Sequence, residues 1–187
     1  HVNKQKGIID AISAMKSLEI DQIVLVGAEE AYKSIDLIKT ENIPVLIKRA
    51  HSLPSNEDDD YDLSYKNAAT LYKNGILVAL ENSGGMERMN GRNLPFYAGT
   101  TNAYGLSFEE ALQLITLNAA KILGIDKTYG SLEKGKSATL FISEGNALDM
   151  RGNRLTKAFI DGRDISLETH QTILWKRYMD KYSQAAE

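Results

Sequence analysis

Residues 76–85 read ILVALENSGG, an apolar run that ends in a carboxylate at Glu81, a carboxamide at Asn82, a hydroxyl at Ser83 and a pair of glycines. Such groups at the end of a buried strand can coordinate a cation or orient a polar substrate. A plain polar turn accounts for the same residues, and the stretch by itself leaves both readings open. Histidine supplies the other candidate chemistry. His51 follows the apolar run Pro44-Val45-Leu46-Ile47, where an imidazole can meet a ligand or serve as an ordinary loop residue. His1 can act as a metal ligand only in company, because one imidazole does not make a site of three or four ligands. His170, the remaining histidine, belongs to the surface of a helical pattern. Glu29 and Glu30 stand at the start of another such pattern, where the helix dipole favours negative charge. The absence of cysteine excludes disulfides, thiolate metal sites and a cysteine nucleophile.

The elements that would position these groups alternate in type. Apolar runs predict strands near 22–27, 44–48 and 76–81, and helical spacing predicts helices over 4–18, 29–39 and 63–73. Connections of this length between strands imply a parallel sheet with right-handed crossovers, whose ligands gather beyond the carboxyl ends of the strands. That is where Glu81, Asn82 and Ser83 fall. The loop from Arg49 to Asp60 carries His51 and the acidic run Glu57-Asp58-Asp59-Asp60, read as a solvated tip. Helices are expected over 94–104 and 107–123, the latter opened by the capping-box pattern Ser107-Phe108-Glu109-Glu110. Beyond Gly130 the period changes to that of antiparallel strands near 139–142 and 157–160, with a tight turn at Asp161-Gly162, and an amphipathic helix over 169–182 closes the chain.

The composition is that of an ordinary globular protein: 187 residues, 43% hydrophobic and 25% charged, with a net charge of −3. Basic residues are scattered, so neither nucleic acid nor an anionic membrane is an expected partner. No apolar run reaches the roughly 18 residues needed to cross a bilayer, and the compartment stays undetermined. The start HVNKQKG is neither a signal peptide nor a Met start, which reads as an excised piece.

Three further runs occur in order: Gly105-Leu106-Ser107-Phe108-Glu109-Glu110-Ala111-Leu112, Thr116-Leu117-Asn118-Ala119-Ala120-Lys121-Ile122-Leu123-Gly124-Ile125, and Gly130-Ser131-Leu132-Glu133-Lys134-Gly135-Lys136-Ser137-Ala138. With Ala158-Phe159-Ile160-Asp161-Gly162-Arg163 beyond them, they resemble the carboxyl-terminal signature of the metal-dependent amidohydrolase superfamily. Upstream, LVGAEEAY at Leu25–Tyr32 resembles its sixth barrel strand and Gly75–Ser83 its eighth. The resemblance implies an α/β fold: the carboxyl-terminal portion of a TIM-like (β/α)8 barrel over 1–125, with about three parallel strands and their helices. Residues 126–187 would add strands of a small β-sandwich and a carboxyl-terminal helix.

The resemblance also implies a divalent metal, zinc or similar, whose bound water attacks a carbonyl or imine carbon. His1 would be the metal ligand ending the fifth strand. The other inherited positions depart from the pattern. The sixth-strand histidine falls on Gly27, and the eighth-strand aspartate falls on Ser83 with Asn82 beside it; glycine offers no ligand and serine is a poor proton acceptor. Gly27, His51, Glu81, Asn82 and Ser83 are therefore candidate substrate-face residues without an assigned catalytic role. The expected parent activity is hydrolysis of non-peptide C–N bonds, with no metal and no activity in 1–187 alone. The alternative is a degenerate, non-catalytic amidohydrolase fold serving structure, assembly or ligand binding. Expected partners are the remaining amino-terminal half of the barrel and, through an exposed sheet edge, a second copy of the chain.

Overall fold

The computed structural model describes residues 1–48 and 50–183. Arg49, at the head of the loop expected to carry His51, lies outside the described residues, as do 184–187. The first half of the chain builds a parallel sheet of β1 (Leu25–Gly27), β2 (Val45–Lys48) and β3 (Val78–Glu81), in that spatial order. The register pairs Gly27 with Ile47 and Lys48 with Glu81. Val2 adds a single parallel bridge on the free side of β1, its N–H bonding Val26 O at 3.0 Å and its carbonyl accepting Ala28 N–H at 2.7 Å.

The two faces of this sheet differ. Leu25, Val45, Ile47, Val78 and Leu80 all belong to the buried core, packed with Ile8 and Ile12 of α1 (Gln5–Ser17), Ile38 of α2 (Ile35–Thr40) and Leu71 of α3 (Leu63–Lys73). Burying each such side chain is worth about 1.5–3 kcal/mol, so this face carries most of the sheet's stability. Strand alternation puts Val26, Leu46, Lys48, Ala79 and Glu81 on the opposite face, and none of them joins that core cluster. This is the face a barrel would turn inward.

Most expected elements form, and the exceptions have local causes. The helix expected over 29–39 begins as a 3-10 turn at Ala31–Ser34 and becomes α-helical only at Ile35. A second 3-10 segment, Glu87–Asn93, leads into α4 (Leu94–Ala103). The helix expected over 107–123 is divided into α5 (Phe108–Gln113) and α6 (Leu117–Ile122). Its capping box is present: Glu110 N–H donates to Ser107 Oγ at 3.2 Å and Ser107 N–H to Glu110 Oε2 at 2.7 Å. The break follows from a diverted carbonyl, because Leu114 O accepts the Leu80 N–H of β3 at 3.0 Å. Asn118, 4% exposed, then donates its side-chain amide to Val78 O at 2.9 Å.

The remaining strands, β4 (Leu140–Ser143), β5 (Leu155–Ile160) and β6 (Arg163–Ile165), form an antiparallel sheet in chain order. Asp161 and Gly162 both have positive φ, 49° and 77°, which is the backbone of a type I′ hairpin turn. Among the described residues this sheet is a single layer, and Phe141, Ile142 and Ile160 are about half exposed. The last helix, α7 (His170–Ser183), forms as expected but buries no residue. The two halves meet through Leu148, on the β4–β5 connection, which is 5% exposed and joins the core of the parallel sheet.

Candidate functional site

At the carboxyl ends of the strands, register sets Lys48 of β2 beside Glu81 of β3, while Gly27 ends β1 beside Ile47. Lys48 and Glu81 stand side by side on the face away from the helices, on adjacent strands. Glu81 Oε2 accepts the N–H of Ser83, which folds the chain back directly after β3. Its other oxygen, Oε1, is buried and has no hydrogen-bond partner. An ionisable oxygen withdrawn from water and left unpaired is costly, so Glu81 is the most chemically notable residue of this rim. Asn82 donates its amide to Asn90 O at 3.1 Å, so it serves the loop geometry, while Ser83 is exposed.

Gly27 ends β1 in close packing with the amino-terminal segment. Its partner in register is Ile47, 2% exposed on the helix-covered face, so the strand alternation directs this position away from Lys48 and Glu81. Its φ is +93°, and a Cβ built there would lie 2.3 Å from Asn3 Oδ1. No side chain fits without displacing Asn3. His1 is exposed and directly precedes Val2, so it flanks β1 where a fifth barrel strand would stand.

His51 sits in an aromatic cluster with Tyr65 and Tyr97. Its ring stacks on Tyr65 with centroids 4.9 Å apart and meets Tyr97 edge-on at 4.5 Å. Its Nε2 is 2.6 Å from Thr100 Oγ1, and that hydroxyl also reaches Phe96 O at 3.0 Å. Partial burial pushes the imidazole below its ordinary pKa, favouring the neutral ring. His51 thus ties the β2 loop to α3 and α4, a role that its loop position did not disclose.

Glu29 and Glu30 act on other elements besides the helix they precede. Glu30 Oε2 accepts the Gln5 N–H at 2.7 Å, supplying the cap at the start of α1, and Lys33 and Lys4 approach its Oε1 at 3.1 and 3.5 Å. The Gln5 amide first, then Lys33, hold its carboxyl below the usual range. Glu29 O accepts the Asn67 side-chain amide at 3.1 Å, and Glu29 Oε2 accepts from Ser55 Oγ at 3.2 Å. Beside these contacts lies a small, partly open cavity of about 20 Å³, bounded also by Lys48, Ser52, Ser64 and the apolar Ile47, Pro54 and Leu63, space for one water-sized group. Its walls come from three loop segments, the end of β2 and α3, so no motif in the sequence signals it.

Among the described residues no three His, Cys, Asp or Glu side chains converge. The groups present therefore do not fit a divalent metal site of this chain's own making, since such a site takes three or four protein ligands.

Three parallel strands with helices packed on one face of the sheet, followed by a small antiparallel sheet, define a class. The amidohydrolase family model matches residues 12–165, and the chain belongs to that family. It is 31% identical over 150 residues to an imidazolonepropionase of Flavobacterium johnsoniae, covering 77% of this chain and 33% of that protein. An imidazolonepropionase of Flavobacterium psychrophilum is 26% identical over 175 residues, covering 88% and 40%. The chain thus spans about a third to two fifths of the curated relatives it matches. Among solved structures, an amidohydrolase from Thermotoga maritima superposes with a TM-score of 0.76 at 28% identity, over 89% of this chain and 42% of that one. A zinc-bound adenosine deaminase from Xanthomonas campestris shares the fold at a TM-score of 0.56 and 18% identity, over 93% and 46%. These likenesses support a barrel of the TIM type, of which the three parallel strands are a part.

Proposed function

We propose that this chain is the carboxyl-terminal part of a hydrolase acting on non-peptide C–N bonds, and that residues 1–187 alone do not turn over substrate. The observation that carries the reading is the family match over 12–165 combined with a sheet of three parallel strands where a closed barrel has eight. Residues 1–125 belong to the barrel and 126–187 to the appended sheet and helix. The partner is the remaining half of the barrel, which would bring the metal ligands that these residues lack. His1 then contributes one ligand, and Lys48 and Glu81 face the substrate from the next strands of the same sheet. The likeness to imidazolonepropionases points to a cyclic amide as the substrate class.

A second reading draws on a different observation. With Asn3 seated against Gly27 and Ser83 at the expected aspartate position, the fold lacks two inherited groups, which favours a degenerate domain that binds or assembles without hydrolysis. Metal analysis separates the two. The purified polypeptide extended upstream of His1 to the length of its relatives is expected to hold a tightly bound divalent ion and to open imidazolone-type rings. The same polypeptide, folded but free of metal and inactive, would establish the degenerate reading. Metal-dependent hydrolysis by 1–187 alone would overturn the first proposal.

A further inference from the structure

We propose that the small cavity between α3 and the turns after β1 and β2 is the seat of one resident water molecule, which bridges Asn67 to Ser64. Asn67 is 3% exposed, and its side-chain amide donates to Glu29 O at 3.1 Å, which fixes the orientation of the group. Its Oδ1 is buried and accepts from no group of the protein. A buried carbonyl oxygen left without a donor is costly, so this atom calls for one. Ser64, one turn earlier on the same face of α3, accepts from Ser52 Oγ at 2.8 Å, and its own hydroxyl hydrogen remains to be given. Both residues line the cavity, whose volume of about 20 Å³ admits a single water-sized group.

The charges of the walls decide what that group is. Lys4 and Lys48 bring ammonium groups, which oppose a metal cation, whereas Glu29, Glu30 and Asp59 bring carboxylates, which oppose an anion. The two polar atoms require a ligand that donates to Asn67 Oδ1 and accepts from Ser64 Oγ. Water is neutral, does both, and keeps a second hydrogen for a carboxylate of the wall. Through Glu29 and Ser52 the bridge ties α3 to the turn that follows β1 and to the loop that follows β2. This inference goes beyond the hydrolase reading and does not depend on it.

Oxygen-17 relaxation dispersion of the solvent, measured on the folded chain, counts waters held for longer than the molecule takes to tumble. Asn67→Leu, whose side chain takes the seat, should show one such water fewer than the parent, and so should Ser64→Val. The double variant should also lose one, because the two residues share a single water. Thr70→Val, on α3 but outside the cavity, removes a hydroxyl that bonds to Lys66 O of its own helix and should keep the parent's count. An unchanged count in either cavity variant, or a loss of two in the double variant, overturns the proposal. So does a melting temperature that rises when sodium or potassium replaces tetramethylammonium at constant ionic strength, since the occupant is then a cation. Should the cavity variants fail to fold, crystals of the parent decide: density for a water within hydrogen-bond distance of both Asn67 Oδ1 and Ser64 Oγ is expected. Ordered interior waters elsewhere but none at this seat would refute it.

Discussion

Asn3 Oδ1 occupies the space in which a side chain on Gly27 would begin, 2.3 Å from the position of a Cβ. With a φ of +93° as well, Gly27 is constrained both sterically and conformationally. Gly27→Ala is expected to destabilise the fold by about 1–3 kcal/mol, the usual range for a strained backbone. Adding Asn3→Ala should recover only the steric part, because the positive φ persists. Gly27→His should bind no additional zinc in calorimetry, and a gain of metal affinity would contradict the placement of Gly27 on the helix-covered face.

The clamp on His51 predicts an acid-sensitive fold. Burial lowers the folded pKa below the ordinary 6.5, so the unfolded chain takes up the proton first as pH falls. Its contribution is therefore complete above about 6.5 and is lost as pH drops towards the folded value. Thermal unfolding followed across this window should show a decline that His51→Phe, which keeps the ring contacts with Tyr65 and Tyr97, largely removes.

Glu30 acts in a lower window. Its carboxyl is held below 4.5 by the Gln5 N–H and by Lys33, so its contribution is present above 4.5 and lost as pH falls through the folded value. Glu30→Gln should lower the melting temperature at neutral pH and fray the first turn of α1, seen as faster exchange of the Gln5 amide. At pH values where Glu30 is protonated in both states, variant and parent should converge.

Gly99 offers a purely steric test. A Cβ there would lie 2.2 Å from Leu148 O, a backbone atom that cannot rotate away. Gly99→Ala is expected to cost about 1–3 kcal/mol and to loosen the β4–β5 connection, with Leu148 becoming accessible. Unchanged thermal stability would count against the close approach.

The strands of the parallel sheet were legible because uninterrupted apolar runs ending in polar residues describe a strand covered on its faces. Val45–Lys48 and Val78–Glu81 lie within two residues of the expected spans, and the capping box at Ser107 carries both of its bonds. Relationships between distant residues were not legible. Nothing local to Leu114 announces that its carbonyl will leave the helix for Leu80, and the helix was therefore expected to run unbroken. Lys48 was overlooked as a rim residue because its proximity to Glu81 arises from register between strands, not from spacing along the chain. Glu30 reads locally as a helix-start charge, yet its carboxylate caps α1, 25 residues earlier. Side-chain roles that depend on tertiary placement escape a reading of periodicity.

Leu148 has a consequence for synthesis. Every other buried residue of the parallel-sheet core lies at or before position 114, so that core is complete only once the β4–β5 connection has been made. A chain ending before Leu148 would leave an apolar seat open beside Gly99, the kind of exposed hydrophobic surface on which misassembly begins.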